Sequence, residues 1–275
     1  MGTSFLGKFL QNHILKITIA IYGVLSLWWI TIFMRGLTEG PENDYFTLSY
    51  AILPLLGGVA GWIYAGKWGG FKSTLGSAIA FLSLGLLAQF LGQIFYSYYI
   101  FVLGVEVPYP SLGDIVYFAS VILYILGSIS LAKVSGIKLS LGSITGKIQA
   151  VLIPVGMLLL SYVLLLKDYE YDFSSPAIIF LDFGFPVGQA IFLSIAIMTL
   201  LISKNILGGM MRKPMMLLVW ALIFQFISDF AFSYQYSYGE VYAGDFLDFL
   251  YNTSYFLMAV ALVYIGNMFY KVKDS

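Results

Sequence analysis

Cysteine is absent from all 275 residues, and histidine occurs once, at His13. Without thiolates there are no disulfides, iron–sulfur clusters or thiolate metal sites. A lone histidine ahead of the first apolar run makes no zinc or haem centre, so neither a metal nor a cofactor is expected. Ser–His and Cys–His nucleophilic catalysis lack their base. Charge is scarce too. Asp, Glu, Lys and Arg make up 10% of the chain and cancel to zero net charge, where a soluble protein carries about 25%. That balance leaves no basic footprint for nucleic acid. No phosphate-binding glycine loop is present. Every lysine sits at a helix end or in a loop, which excludes a retinal Schiff base.

What fills the chain is apolar: 60% hydrophobic residues and a mean hydropathy of +0.89. The apolar residues gather into eight runs, about 14–34, 47–66, 73–103, 112–132, 147–167, 176–203, 214–238 and 246–270. Each reaches or exceeds the roughly 20 residues that a spanning helix needs. The connections alternate in charge. Lys8, Lys16, Lys67, Lys72, Lys133, Lys138, Lys147, Lys204, Arg212, Lys213, Lys271 and Lys273 fall on one side. Glu39, Glu42, Asp44, Glu106, Asp168, Glu170, Asp172, Glu240 and Asp245 fall on the other, and Arg35 and Lys167 alone break the pattern. The excess of lysine and arginine belongs in the cytoplasm. The reading is therefore all-α: an integral cell membrane protein of eight transmembrane helices, both termini cytoplasmic, one membrane domain over 1–275, and the lipid bilayer as its surroundings. The first run is too long for a signal peptide and reads as an anchor.

The chain also repeats itself. Gln89-Phe90 returns as Gln225-Phe226, and Ser97-Tyr98 as Ser233-Tyr234. Asp114-x-x-Tyr117-x-x-Ser120 returns as Asp248-x-x-Tyr251-x-x-Ser254, and Pro54 as Pro186, 132 residues later. Each unit holds four helices, about 14–132 and 147–270. An even number of spans returns the chain to its starting side, so the two repeats are expected to be parallel, related by an axis along the membrane normal.

Pro110-Ser111-x-x-Asp114-x-x-Tyr117 and Tyr242-x-Gly244-Asp245-x-x-Asp248 resemble the eight-span membrane regions fused to bacterial diguanylate cyclases and histidine kinases. Those regions carry Pro-x-Gly-Asp in their sixth helix, where this chain has Pro186-Val187-Gly188-Gln189, an amide in place of the acid. No cyclase or kinase domain follows in this sequence. The resemblance implies signal input across a membrane, with output through a separate partner in the cytoplasm or membrane.

Ionisable groups within apolar helices come next, because their burial in hydrocarbon is costly and usually functional. Asp182 and Asp229 fall at similar depth near the acidic-loop ends of the sixth and seventh helices. Gln189 and Gln225 lie deeper on the same two helices. The first-half equivalents are Tyr50 and Gln93, so the acids mark only the second repeat. One reading makes Asp182, Asp229, Gln189, Gln225 and Gln93 an outward-facing pocket for a cation, a proton or a polar ligand. The other makes them interhelical hydrogen bonds, about 0.6–2 kcal/mol each. Ser111-x-x-Asp114 and Asp245-x-x-Asp248 read as helix caps. Tyr96, Tyr98, Tyr234 and Tyr236 read as outer-rim aromatics, either an interfacial belt or a ligand mouth. Pro54 and Pro186 are expected to interrupt their helices at matching places.

Three functions fit. The first is a non-enzymatic membrane sensor or ligand-binding module. The second is a small secondary transporter or channel for a cation or polar solute. The third is a structural subunit of a membrane complex, and self-association is compatible with any of them. An enzyme is not expected: LDFG around Asp182 and SDF around Asp229 lack the glycine-rich motif of a two-aspartate intramembrane protease.

Overall fold

The computed structural model describes residues 13–137, 142–167, 169, 173–206 and 211–273. Among them there are helices and connecting turns and no strand. Eight helices are long and apolar enough to cross a membrane. They are α1 His13–Met34, α2 Pro41–Lys67, α3 Thr74–Leu103, α4 Leu112–Val134 and α5 Ile144–Leu166. The others are α6 Pro176–Ile206, α7 Arg212–Tyr238 and α8 Phe246–Lys273. The acids Asp168, Glu170 and Asp172, with Lys8 and Lys138, lie outside the described residues.

Helix α2 starts earlier than the apolar run, at Pro41. Proline suits the first helical position because its missing N–H would have no partner there, and the first-turn acids Glu42 and Asp44 complement the helix dipole. Arg35, one of the two charges out of pattern, is paired here, with Nη2 2.8 Å from Oε2 of Glu42. Further along, α2 breaks between Ser49 and Ile52. Pro54 has no N–H for the carbonyl of Tyr50, and the amide of Leu53 takes that carbonyl at 3.1 Å instead. Pro186 behaves differently from expectation: α6 runs unbroken through it. There the proline forfeits the single bond to the carbonyl of Asp182, and the helix continues around it.

Six helices close a ring. Around it α2 packs on α3, α3 on α4, α4 on α6, α6 on α7, α7 on α8, and α8 back on α2. Helix α1 lies outside against α8 and α2, and α5 lies outside against α6. The ring is tight where glycine lets backbones approach. A Cβ added to Gly57 of α2 would stand 2.5 Å from the Cβ of Ala259 on α8. Fully buried Leu82, Leu86, Tyr124, Phe192, Leu222 and Met258 fill the interior, while Val24, Leu27, Phe33, Val151 and Leu152 are exposed on the outer helices.

Candidate ligand-binding site

The site is built from helix starts. Helix α4 begins with a complete capping box: the Ser111 hydroxyl accepts from the amide of Asp114, and the Asp114 carboxylate accepts from the amide of Ser111 at 2.7 Å. Tyr96 also donates to Asp114. Helix α8 begins with Asp245, whose Oδ1 accepts from the amides of Leu247 and Asp248 at 2.8 and 3.2 Å. Burial, and then the neighbouring Asp248, push the Asp245 carboxyl up to about 6. Gly244 before it has a φ of 79°, a left-handed turn that suits glycine. The loop is held to α1 and α2. Trp29 donates to the carbonyl of Asp245 at 3.0 Å, and Asn43 to that of Ala243 at 2.8 Å.

Asp248 does more than cap. Its carboxylate accepts from Thr47 at 2.6 Å, from the amide of Gly244 at 2.6 Å and from the Tyr50 hydroxyl at 2.8 Å. Thr47 and Tyr50 belong to α2, so this acid ties the last helix to the second. Tyr117 donates at 2.9 Å to Gln93, beside Tyr50.

Deeper down, one polar pair occurs twice. Gln89 donates to Ser120 at 2.8 Å between α3 and α4, and Ser254 donates to Gln225 at 2.6 Å between α8 and α7. The spare groups differ. Gln89 accepts from Tyr255 at 2.8 Å, whereas Gln225 donates to Oδ1 of Asp229 at 2.9 Å. Oδ2 of Asp229 has no hydrogen-bond partner, although the Tyr251 side chain faces the same carboxyl. Oε1 of Gln189 is likewise buried without one.

These groups surround one cavity of about 750 Å³ inside the ring. It lies at the end of the bundle that carries the 104–111 and 239–245 loops. Five aspartates, ten tyrosines and the amides of Gln89, Gln93 and Gln189 line it, with no lysine, arginine or histidine among the described lining residues. Asp182 and Asp229 share this cavity. Asp182 is half-buried and accepts from Tyr109 and, at 2.7 Å, from Tyr169. Burial and the bond to Asp182 push the Tyr109 hydroxyl up, which keeps it a donor. One turn deeper the ring is filled: Tyr124, Phe192 and Phe226 pack edge-on with centroids 6.0 and 6.4 Å apart. Among the described residues no three His, Cys, Asp or Glu side chains converge as a metal site requires. A second hollow, about 590 Å³ between α1, α2 and α3, is lined almost wholly by apolar side chains and offers nothing to orient a polar ligand.

Of the residues singled out by sequence, Asp182, Asp229, Gln189 and Gln93 line the cavity. Gln225 does not: it is fully buried behind Asp229. Ser111, Asp114 and Asp245 cap helices, and Asp114, Asp245 and Asp248 also face the cavity. Tyr96 and Tyr236 belong to its wall, while Tyr98 and Tyr234 are exposed elsewhere. Sequence reasoning passed over Thr47, Tyr117, Tyr169, Tyr251 and Tyr255 as site residues. The repeated Asp-x-x-Tyr spacing was a signal for two of them, since Tyr117 and Tyr251 fall on the same helix face as the acids three residues before them. Compared with known proteins, the chain matches no family model, no curated protein and no solved structure.

Proposed function

We propose that this chain is an integral membrane protein and a non-enzymatic sensor, binding a polar ligand in the ring cavity and signalling through a partner. The observation that carries the reading is Asp229, a buried carboxylate that lines the cavity and has one enclosed oxygen without a hydrogen-bond partner. An unpaired buried charge costs several kcal/mol, so a purely structural acid would be expected to have its bonds completed. The positive-inside rule puts the basic loops in the cytoplasm, so the cavity opens outward and both termini lie inside. The ring order supports two parallel repeats. Exchanging α2, α3 and α4 for α6, α7 and α8 returns the same sequence of contacts, and the Gln–Ser pair recurs at the matching place. The resemblance to sensor regions of cyclases and kinases points the same way. Transport ranks lower, because the Tyr124–Phe192–Phe226 layer fills the ring below the cavity.

The absence of native cysteine supplies the test. Single cysteines replace Asp182, Gln189 and Gln225, and a membrane-impermeant thiol reagent is applied to intact cells and to inverted vesicles. Labelling of Asp182→Cys and Gln189→Cys from outside only, with Gln225→Cys silent, is expected. Labelling from both sides would replace the sensor with a transporter, and silence at all three positions in folded protein would leave a structural role.

A further inference from the structure

The cavity wall has one sign of charge, and its acids are not equivalent. Asp114 is held by Ser111 and Tyr96. Asp182 is held by Tyr109 and Tyr169. Asp245 receives two helix amides and the Gln235 amide at 3.1 Å. Asp248 receives Thr47, Tyr50 and Gly244. Asp229 stands apart: it lines the cavity at 6% exposure, and its Oδ2 is enclosed with no hydrogen-bond partner in place, the Tyr251 hydroxyl lying beside the same carboxyl.

We propose that the cavity takes an organic ammonium ion, a primary or secondary amine with an apolar or aromatic body, anchored by Asp229. The proposal rests on the ligand-binding reading above and specifies its chemistry. A neutral ligand would leave the buried carboxylate uncompensated, and an anion would add repulsion with no basic side chain to offset it. A divalent metal ion needs several oxygen ligands at once, and the other aspartates are already engaged by N–H and O–H donors. Aromatic rings adjoin the anchor. Phe232 lies one turn from Asp229 on α7, and its centroid is 6.3 Å from that of Tyr251, whose side chain faces the carboxyl. Ring faces within about 6 Å attract a cation. Gln189, 3% exposed with its Oε1 enclosed and unpartnered, lines the same cavity, and a carboxylate acceptor suits an ammonium bearing N–H rather than a quaternary one. A volume of about 750 Å³ lies within the range of small-molecule sites, about 300–1,000 Å³, and far exceeds what a bare ion requires.

An ammonium group reaches a membrane protein from two sources, a free amine or an ethanolamine lipid headgroup. The test therefore uses the full chain in nanodiscs of phosphatidylglycerol alone and of phosphatidylglycerol with phosphatidylethanolamine. Binding of radiolabelled phenethylamine is measured against N-methylphenethylamine, phenethyl alcohol and phenylacetate as competitors. Saturable binding displaced by the second amine, but not by the alcohol or the acid, is expected. Asp229→Asn should weaken it on the order of a hundredfold. The wild-type charge series stands on its own if that variant fails to fold. Loss of the signal in ethanolamine-containing discs assigns the site to the headgroup, and an unchanged signal assigns it to a free amine. If the alcohol or the acid competes as well as the amine, or no amine binds in phosphatidylglycerol discs, the ammonium assignment is overturned. The ligand-binding reading then stands or falls separately, on whether Gln189→Cys is labelled from outside.

Discussion

Gln225 donates its side-chain amide to Oδ1 of Asp229 at 2.9 Å, one helical turn away, and leaves Oδ2 of that cavity-lining carboxylate buried with no hydrogen-bond partner. The amide is itself fixed from behind by Ser254, so the carboxylate is oriented but not satisfied. The matching acceptor in the first half is Gln93, a neutral amide that receives Tyr117. The acid of the seventh helix thus stands where the third helix carries an amide.

The bond from Tyr50 to Asp248 joins the second helix to the last. Tyr50→Phe should lower stability by about 1–2 kcal/mol, because a buried carboxylate loses one of its donors. A double-mutant cycle with Asp248→Asn, read by thermal unfolding in detergent, should give a coupling of about 1 kcal/mol. Strict additivity of the two single changes would show that the bond contributes nothing across that interface.

Gly57 and Gly23 make a matched pair of substitutions. Alanine at Gly57 would place its Cβ 2.5 Å from the Cβ and 2.7 Å from the Cα of Ala259, and that backbone cannot swing aside. Nothing lies within 4 Å of a Cβ at Gly23. Gly57→Ala should cost about 1–3 kcal/mol and lower the melting temperature, whereas Gly23→Ala should leave it level or raise it slightly. Equal effects at the two positions would contradict the close contact of α2 with α8.

Asp245 should give the folded state a pH dependence. Its carboxyl is raised to about 6 when folded, against about 3.9 for an unperturbed aspartate. The folded state then binds the proton more tightly than the unfolded one. The group costs stability above about pH 6, and the cost is relieved as pH falls through 6 toward 4. Asp245→Asn keeps an acceptor for the amides of Leu247 and Asp248 and cannot titrate. Melting curves between pH 7 and 4.5 should show a rise on acidification in the wild type that is reduced in this variant. An unchanged slope would show that Asp245 is not raised.

Local chemistry made much of this arrangement legible in the sequence. Apolar run length gave the eight helices, and the Ser-x-x-Asp spacing gave the cap of α4. The partners of those residues were not legible, because they come from distant parts of the chain. Tyr50 meets Asp248, and Tyr255 meets Gln89, only once the ring closes. Helical phase explains the mixed result at the rim. Tyr96 and Tyr98 stand two residues apart, as do Tyr234 and Tyr236, and residues so spaced point to different faces, so one of each pair lines the cavity and the other leaves it. Gln225 and Asp229 share a face, and the sequence gives no means of telling which of the two reaches the void. Packing places the acid there and the amide behind it.

On the function proposed above, Asp229 is left uncompensated for a ligand rather than used to hold helices together. The most direct measurement is the melting temperature of ligand-free Asp229→Asn beside the wild type at pH 8, in a detergent without amine headgroups. If the carboxylate is an unmet charge, removing it should raise the melting temperature by about 2–4 °C, as expected for roughly 1 kcal/mol in a chain of this size. A clear fall would mean that both oxygens of Asp229 serve packing, and would contradict the account.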